Sequence, residues 1–294
     1  MATMPKMGSI VVGGARTMRA FGRRIPGAGE ILAPSLDERV RDRIVMVTGA
    51  SSGIGREVAL KVGAAGATVL LVARTREALD EVAAEIAAAG GVAVVYPCDL
   101  SDTDDIDRMV ARVLDEQGPP DVLVNNAGRS IRRSVRRSYT RFHDYERTMQ
   151  LNYFGAVKLI LGVLPGMRAR GSGHIINVST MGLQTNTPRF SAYLASKAAL
   201  DAFARSIASE IITDGVHITT VYMPLVRTPM IEPTKHYEHL PALSPDAAAE
   251  MIVEAIRRRP KRVSTLLGDF AGVTYATAPG AQDLVMSRIG NRVA

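Results

Sequence analysis

Two side chains four residues apart carry the first chemical signal. Tyr193 and Lys197 fall within Ser191–Ile211, a stretch with helical periodicity, so both project from one face of the same helix. An ammonium beside a phenol favours the phenolate and brings a group that ordinarily titrates at about pH 10 towards neutrality, which makes a tyrosine usable as a general acid or base. Such a spacing also arises by chance on ordinary helix surfaces, so its weight comes from its companions. Thr48-Gly49-Ala50-Ser51-Ser52-Gly53-Ile54-Gly55 sets glycines where a pyrophosphate would approach the backbone and a helix N-terminus, and where any Cβ would stand in the way. The spacing departs from the G-x-G-x-x-G dinucleotide fingerprint, but the strand-like run before it and the helical pattern after it supply the required context. Asn125-Asn126-Ala127-Gly128 and Asn177-Val178-Ser179-Thr180 each close a further apolar run, at the carboxyl ends of strands where open α/β sheets bind ligands.

The elements that must hold these residues are legible as an alternation of short β-branched runs and longer helical patterns from Asp42 onward. Ile44–Thr48, Thr68–Ala73, Val92–Tyr96, Val122–Val124, Ile175–Val178 and Ile218–Tyr222 read as strands, with Val263–Leu267 as a last one. Continuously apolar strands separated by helix-sized intervals imply a parallel sheet covered on both sides: a Rossmann-like, doubly wound α/β fold in a single domain. The expected organisation is a basic extension over 1–41, a catalytic dinucleotide-binding domain over 42–268, and a tail over 269–294. Within the domain, the proline-punctuated stretch 229–262, with His236, Tyr237 and His239, is expected to cover a substrate. Ser244 and Pro245 open a helix inside it, running towards Arg259.

The end of the second strand bears on the nucleotide. A ribose with a free 2′-hydroxyl usually meets an acid there, whereas Val72-Ala73-Arg74 offers a guanidinium suited to a 2′-phosphate, which favours NADPH/NADP+ over the unphosphorylated cofactor.

Composition excludes several other classes. At 294 residues and 47% hydrophobic content, the chain can bury a full core and is not disordered. A single cysteine, Cys98, allows neither an internal disulfide nor a thiolate metal cluster, so no metal is expected and a reducing compartment is. No apolar run is long enough to span a bilayer. The net charge is +7. It is concentrated at the two ends and in 129–147, where seven Lys/Arg stand against two Asp/Glu. That localisation points to a phosphate-bearing ligand rather than a broad nucleic-acid surface, for which the aromatic content is also low, and the expected setting is cytoplasmic with peripheral membrane contact through the ends left open.

Taken together, the TGASSGIG turn, Cys98-Asp99-Leu100, the NNAG motif, Asn152, the serine–threonine pair and Tyr193-Leu194-Ala195-Ser196-Lys197 resemble the short-chain dehydrogenase/reductases in order and spacing. The resemblance implies that Gly49, Ser51, Ser52, Gly53, Ile54 and Gly55 hold the pyrophosphate and nearby ribose, Arg74 the 2′-phosphate, and Asp99 with Leu100 the adenine. It further implies that Asn125, Ala127 and Gly128 line the cofactor cleft and that Pro224, Val226 and Thr228 lie by the nicotinamide. Tyr193 then resembles the general acid, Lys197 the group that tunes it and binds the nicotinamide ribose, and Asn152 the holder of a relay water. The position that polarises the substrate, thirteen residues before the tyrosine, is Thr180 instead of the usual serine, with Ser179 as a possible substitute. The segment Pro224-Leu225-Val226-Arg227-Thr228 lacks the customary glycine after proline. A homodimer or homotetramer is implied as well.

Residues 125–153, together with PRFSAYLASKAALDAF and VYMPLVRTPMIEPTK, are similar to the bacterial long-chain fatty acyl-CoA reductases of this type. That similarity implies reduction of an acyl-CoA thioester to the aldehyde. Cys98, next to the adenine contact, is poorly placed for an acyl-enzyme, so direct hydride transfer is expected. Coenzyme A is itself rich in phosphate, which gives Arg129, Arg132, Arg133, Arg136, Arg137 and Arg141 a ligand, although facing solvent, or pairing with Asp144, Glu146 and neighbours on another subunit, accounts for them equally well. The competing expectations are a ketone or alcohol oxidoreductase acting on a steroid or other lipid, and a basic module binding membrane or nucleic acid.

Overall fold

Strands buried on both faces build the centre of the molecule. In a computed structural model, residues 33–232 and 240–292 are described; the basic segment 1–32 and the stretch 233–239, with His236, Tyr237 and His239, lie outside the described residues. Seven parallel strands, β1 (Ile44–Thr48), β2 (Thr68–Ala73), β3 (Val92–Pro97), β4 (Val122–Asn125), β5 (Gly173–Thr180), β6 (Val216–Met223) and β7 (Arg262–Val263), form one sheet in the order β3-β2-β1-β4-β5-β6-β7. Successive strand residues alternate between two apolar cores. Val45, Val47, Val69, Leu71, Val124 and Ile176 face one side, while Met46, Leu70, Val72, Leu123 and Ile175 face the other. This two-sided burial is why the strands read as unbroken apolar runs.

The helices, in chain order, are α1 (Leu36–Val40), α2 (Gly53–Ala64), α3 (Arg76–Ala88), α4 (Thr103–Glu116), α5 (His143–Met149), α6 (Ala156–Arg170), α7 (Gly182–Thr185), α8 (Ser191–Ile211), α9 (Pro245–Arg258), α10 (Leu266–Thr277) and α11 (Pro279–Arg292). Val58 and Val62 of α2, Leu79 of α3 and Ile252 and Ile256 of α9 fill the first core. Ile106 of α4, Leu159 and Val163 of α6, and Leu200 and Ala204 of α8 fill the second. The strand order reverses between β1 and β4, and there the carboxyl ends of the strands open into a crevice.

The structure differs from the sequence reading at both ends of the domain. Residues 36–40, read as part of the extension, form α1, on which Ser35 and Glu38 make a reciprocal capping box. Arg39 Nε donates to the Arg257 carbonyl and Arg257 Nε to that of Pro34, each at 2.9 Å, which ties this end to α9. The run Val263–Leu267 is not a strand. β7 stops at Val263 because Thr265 caps a helix, its Oγ1 accepting from the Gly268 amide at 3.0 Å. Residues 269–294, read as a tail, supply most of α10 and all of α11. The span 229–262 is likewise too long for a cover, since Ala248, Ile252 and Ile256 on α9 are fully buried in the core, leaving Met230, Ile231 and Leu240 at the cleft.

The arginine-rich segment 129–141 is anchored by a buried acid. Asp144 is 3% exposed and accepts from Arg133 Nε at 2.6 Å and Arg141 Nε at 3.3 Å. Burial raises its carboxyl pKa, but the two guanidinium bonds outweigh burial and hold it below the ordinary carboxylate range. Because the folded value is depressed, the stabilisation is present above about pH 4 and is lost as the pH falls through the folded value. Asp144→Ala is expected to cost about 1–2 kcal/mol at neutral pH, with two partly exposed cations left facing each other. The gap from wild type in a denaturant titration should close on acidification below about pH 4; a gap unchanged by pH would contradict this assignment.

Candidate active site

A cleft of about 780 Å³ lies over the carboxyl ends of the strands. Gly49, Ser51, Ser52, Gly53, Ile54, Arg74, Asp99, Leu100, Ala127, Gly128, Ser179, Thr180, Tyr193, Lys197, Pro224, Val226 and Thr228 all line it. Three other residues singled out in the sequence stand behind it. Gly55 packs under the turn, where a Cβ would come within 2.6 Å of Asn126 Nδ2. Asn125 is 4% exposed and donates to Asn177 Oδ1 at 3.0 Å, joining β4 to β5. Asn152 is 1% exposed.

The glycine turn has the conformation its sequence requires. Gly49 and Gly53 take φ of +65° and +57°, in the left-handed region that favours glycine. Ser52 precedes α2 without capping it through its side chain, and the first turn carries no acid, so its amides are available to an anion. A network unnoticed in the sequence holds the turn in place. Thr48 Oγ1 accepts from the Asn126 and Ala127 amides, both at 3.0 Å, and Asn126 Nδ2 donates to the Thr48 carbonyl at 2.9 Å. The loop after β6 closes over it, Thr228 Cγ2 lying 3.0 Å from where a Cβ on Gly53 would stand. These features fit a dinucleotide pyrophosphate.

Lys197 is reached through α8, which buries Ala192, Ser196, Leu200 and Ala204 against the sheet and thereby turns Tyr193 and Lys197 towards the cleft. Lys197 Nζ donates to the Val178 carbonyl at 2.8 Å, and burial brings its pKa down to about 8. Tyr193 is half-buried beside Phe190, ring centroids 6.3 Å apart and edge to face. Gly128 passes close by; a Cβ there would lie 3.3 Å from Asn152 Oδ1 and 3.4 Å from Lys197 Nζ.

Asn152 sits in a π-helical segment, Gln150–Gly155, and clamps the chain after β4 from both sides. Its Oδ1 accepts from the Arg129 amide at 2.8 Å, and its Nδ2 donates to the Arg129 carbonyl and to Ser196 Oγ, each at 2.9 Å. Both amide hydrogens are thereby engaged.

Thr180 and Ser179 are not equivalent. Thr180 Oγ1 accepts from the Gly182 amide at 3.0 Å, which leaves its hydroxyl hydrogen to donate, and the residue is half-buried at the cleft. Ser179 Oγ is sealed from solvent and has no hydrogen-bond partner.

The arginines of 129–141 separate by position. Arg133 and Arg141 are held by Asp144, whereas Arg136 and Arg137 are exposed in a short turn. Arg129 and Arg132 line the cleft. Burial lowers the Arg129 pKa, repulsion from Arg147 and Arg74 lowers it further, and Asp99 opposes them, so Arg129 belongs to a charged group at the Arg74 end of the cleft. Asp99 Oδ1 accepts from the Ser101 amide at 2.9 Å and hydroxyl at 2.6 Å. Burial raises its pKa, but these bonds together with Arg74 and Arg129 bring it below the ordinary range. Cys98 lines the cleft as a thiol, its pKa pushed up to about 12 by burial and then by Asp105, Asp99 and Asp102. No sequence signal distinguished Arg129 from its neighbours or marked Asn126 and Ser196 as supports.

Comparisons with known proteins give the family and the relatives that the chain resembles. A family model described as short chain dehydrogenase matches residues 43–239. A fatty acyl-CoA reductase of Acinetobacter baylyi is 55% identical over 250 residues, 85% of each chain. A fatty acyl-CoA reductase of Mycobacterium tuberculosis is 52% identical over 245 residues, 83% of each. Among solved structures, L-sorbose reductase from Gluconobacter frateurii, complexed with NADPH and L-sorbose, superposes with a TM-score of 0.70 at 28% identity, covering 76% of this chain and 94% of that one.

Proposed function

The chain belongs to the short-chain dehydrogenase family, and from that membership we propose that it reduces long-chain fatty acyl-CoA to the fatty aldehyde with NADPH by direct hydride transfer. The observation that carries the substrate is the 52–55% identity to two fatty acyl-CoA reductases over more than four-fifths of each chain. The glycine turn and the open amides of α2 fit the pyrophosphate, and Arg74 fits the 2′-phosphate. The bound cofactor supplies a hydride for the thioester carbonyl carbon.

Every other contribution is the chain's own. Negative charge develops on the carbonyl oxygen, where the Tyr193 and Thr180 hydroxyls donate hydrogen bonds and Tyr193 gives its proton as general acid. Lys197, held by the Val178 carbonyl, favours ionised Tyr193 and grips the ribose. The hydroxyl proton returns to Tyr193 as the carbon–sulfur bond breaks, leaving the aldehyde and coenzyme A thiolate, which takes up the one proton consumed overall and departs as the free thiol. Cys98, kept protonated, forms no acyl-enzyme. Asn152 acts as a positioning residue, fixing Arg129 and α8 against each other.

Thr180→Val is expected to lower kcat roughly 100-fold with KM little changed, since it removes a donor to the developing oxyanion. Thr180→Ser should keep most of the activity. Ser179→Ala should stay within about threefold of wild type, its hydroxyl being sealed from solvent. Loss of activity in Ser179→Ala with full activity in Thr180→Val would reverse the assignment. The function itself is tested by NADPH oxidation with a series of acyl-CoA thioesters, aldehydes and ketones; activity on ketones without activity on thioesters would overturn it.

A further inference from the structure

Helix α10 is built inside out. Its inward side carries Gly268 and Gly272, a Cβ on the former meeting the Gln184 side chain of α7, and Thr265 at its cap is buried. Around it Gln184 Nε2 donates to Ser264 Oγ at 2.9 Å, and Gln282 Nε2 donates to the Gln184 carbonyl at 3.3 Å. The outward side holds Leu266 (47% exposed), Leu267 (51%), Phe270 (70%) and Val273 (63%). These fall along one stripe of the helix with no charge among them. α11 adds exposed Leu284 and Val285. A water-facing helix carries the opposite pattern, so this stripe is made for an apolar surface.

The net charge of the C-terminal region points to that surface. Residues 254–294 hold seven Lys/Arg and three Asp/Glu, a net positive charge that remains although Arg257 and Arg258 pair with Glu254 and Arg262 with Asp269. A second copy placed on this stripe by two-fold symmetry would bring two cationic patches together. An anionic bilayer satisfies both the apolar stripe and the cations, and twelve residues are too few to cross one, so the helix lies in the interface plane. We propose that α10 docks the protein on an anionic lipid surface. Because α10 is seated on α7, whose Gly182 and Thr185 line the cleft, docking sets the cleft beside the lipid. The inference rests on this exposed stripe and not on the acyl-CoA reading, so either can fail alone.

The test is sedimentation of the full chain with vesicles of phosphatidylcholine alone or mixed with phosphatidylglycerol. Binding to the anionic vesicles, weakened by salt, is expected, and Leu266→Ser, Phe270→Ser and Val273→Ser combined should weaken it at least about tenfold while NADPH oxidation with a short-chain acyl-CoA is kept. No binding to anionic vesicles would overturn the proposal. So would wild-type binding by the triple variant, which would assign the affinity to the basic segment 1–32, or a change in its oligomeric state without loss of vesicle binding. The chain has no tryptophan. Phe270→Trp therefore provides a single reporter that keeps the apolar stripe, and its emission should shift to the blue with anionic vesicles; an unshifted spectrum contradicts docking through α10.

Discussion

Tyr193→Phe is expected to lower kcat for acyl-CoA reduction by roughly 10²–10⁴-fold, the usual contribution of a positioned general acid, while NADPH binds as before. The phenylalanine ring keeps the edge-to-face contact with Phe190, so the loss is chemical and not structural. Binding followed by NADPH fluorescence together with steady-state turnover separates the two. The pH profile should carry the mark of Lys197, whose pKa is brought down to about 8 by burial. The ammonium is present below that value and absent above it, so kcat/KM should fall as the pH rises through about 8. The same depression has a consequence for folding. Between about 8 and the unfolded value of about 10.4 the unfolded chain binds the extra proton, so the stability cost of burying this lysine fades as the pH rises across that window.

The second large effect concerns the cofactor. Arg74→Ala is expected to raise KM for NADPH by roughly 10–100-fold, as the loss of charge-assisted hydrogen bonds to a phosphate would, and to leave KM for NADH nearly unchanged. Arg129→Ala should add to the loss, because its partly buried guanidinium is repelled by Arg74 in the absence of an anion between them. The two effects should be non-additive in a double variant if both cations meet one phosphate. Equal losses for NADPH and NADH in Arg74→Ala would show that Arg74 does not read the 2′-phosphate.

The sheet was legible in the sequence because strands covered on both faces leave continuous runs such as Val45-Met46-Val47 and Val69-Leu70-Leu71-Val72, and because the left-handed positions 49 and 53 favour glycine. The C-terminal region was not. An apolar run beginning at Val263 looks the same whether Ser264-Thr265 interrupts it as a helix cap or continues it as a strand, and an inside-out helix has the composition of an ordinary one. Within 129–141 the sequence shows six arginines but not their neighbours. Only folding brings Asp144 to two of them and carries Arg129 towards Arg74. Asn152 illustrates the same limit: the family resemblance implied that it holds a relay water, and only the fold shows its three side-chain hydrogen bonds to Arg129 and Ser196.

The central claim is reduction of a thioester by direct hydride transfer, and it is tested most directly by following NADPH oxidation and free thiol together with palmitoyl-CoA as substrate. Release of one thiol for each NADPH consumed, with aldehyde accumulating and both signals absent in Tyr193→Phe, is the predicted result. NADPH oxidation with ketones and no thiol release from palmitoyl-CoA would contradict it.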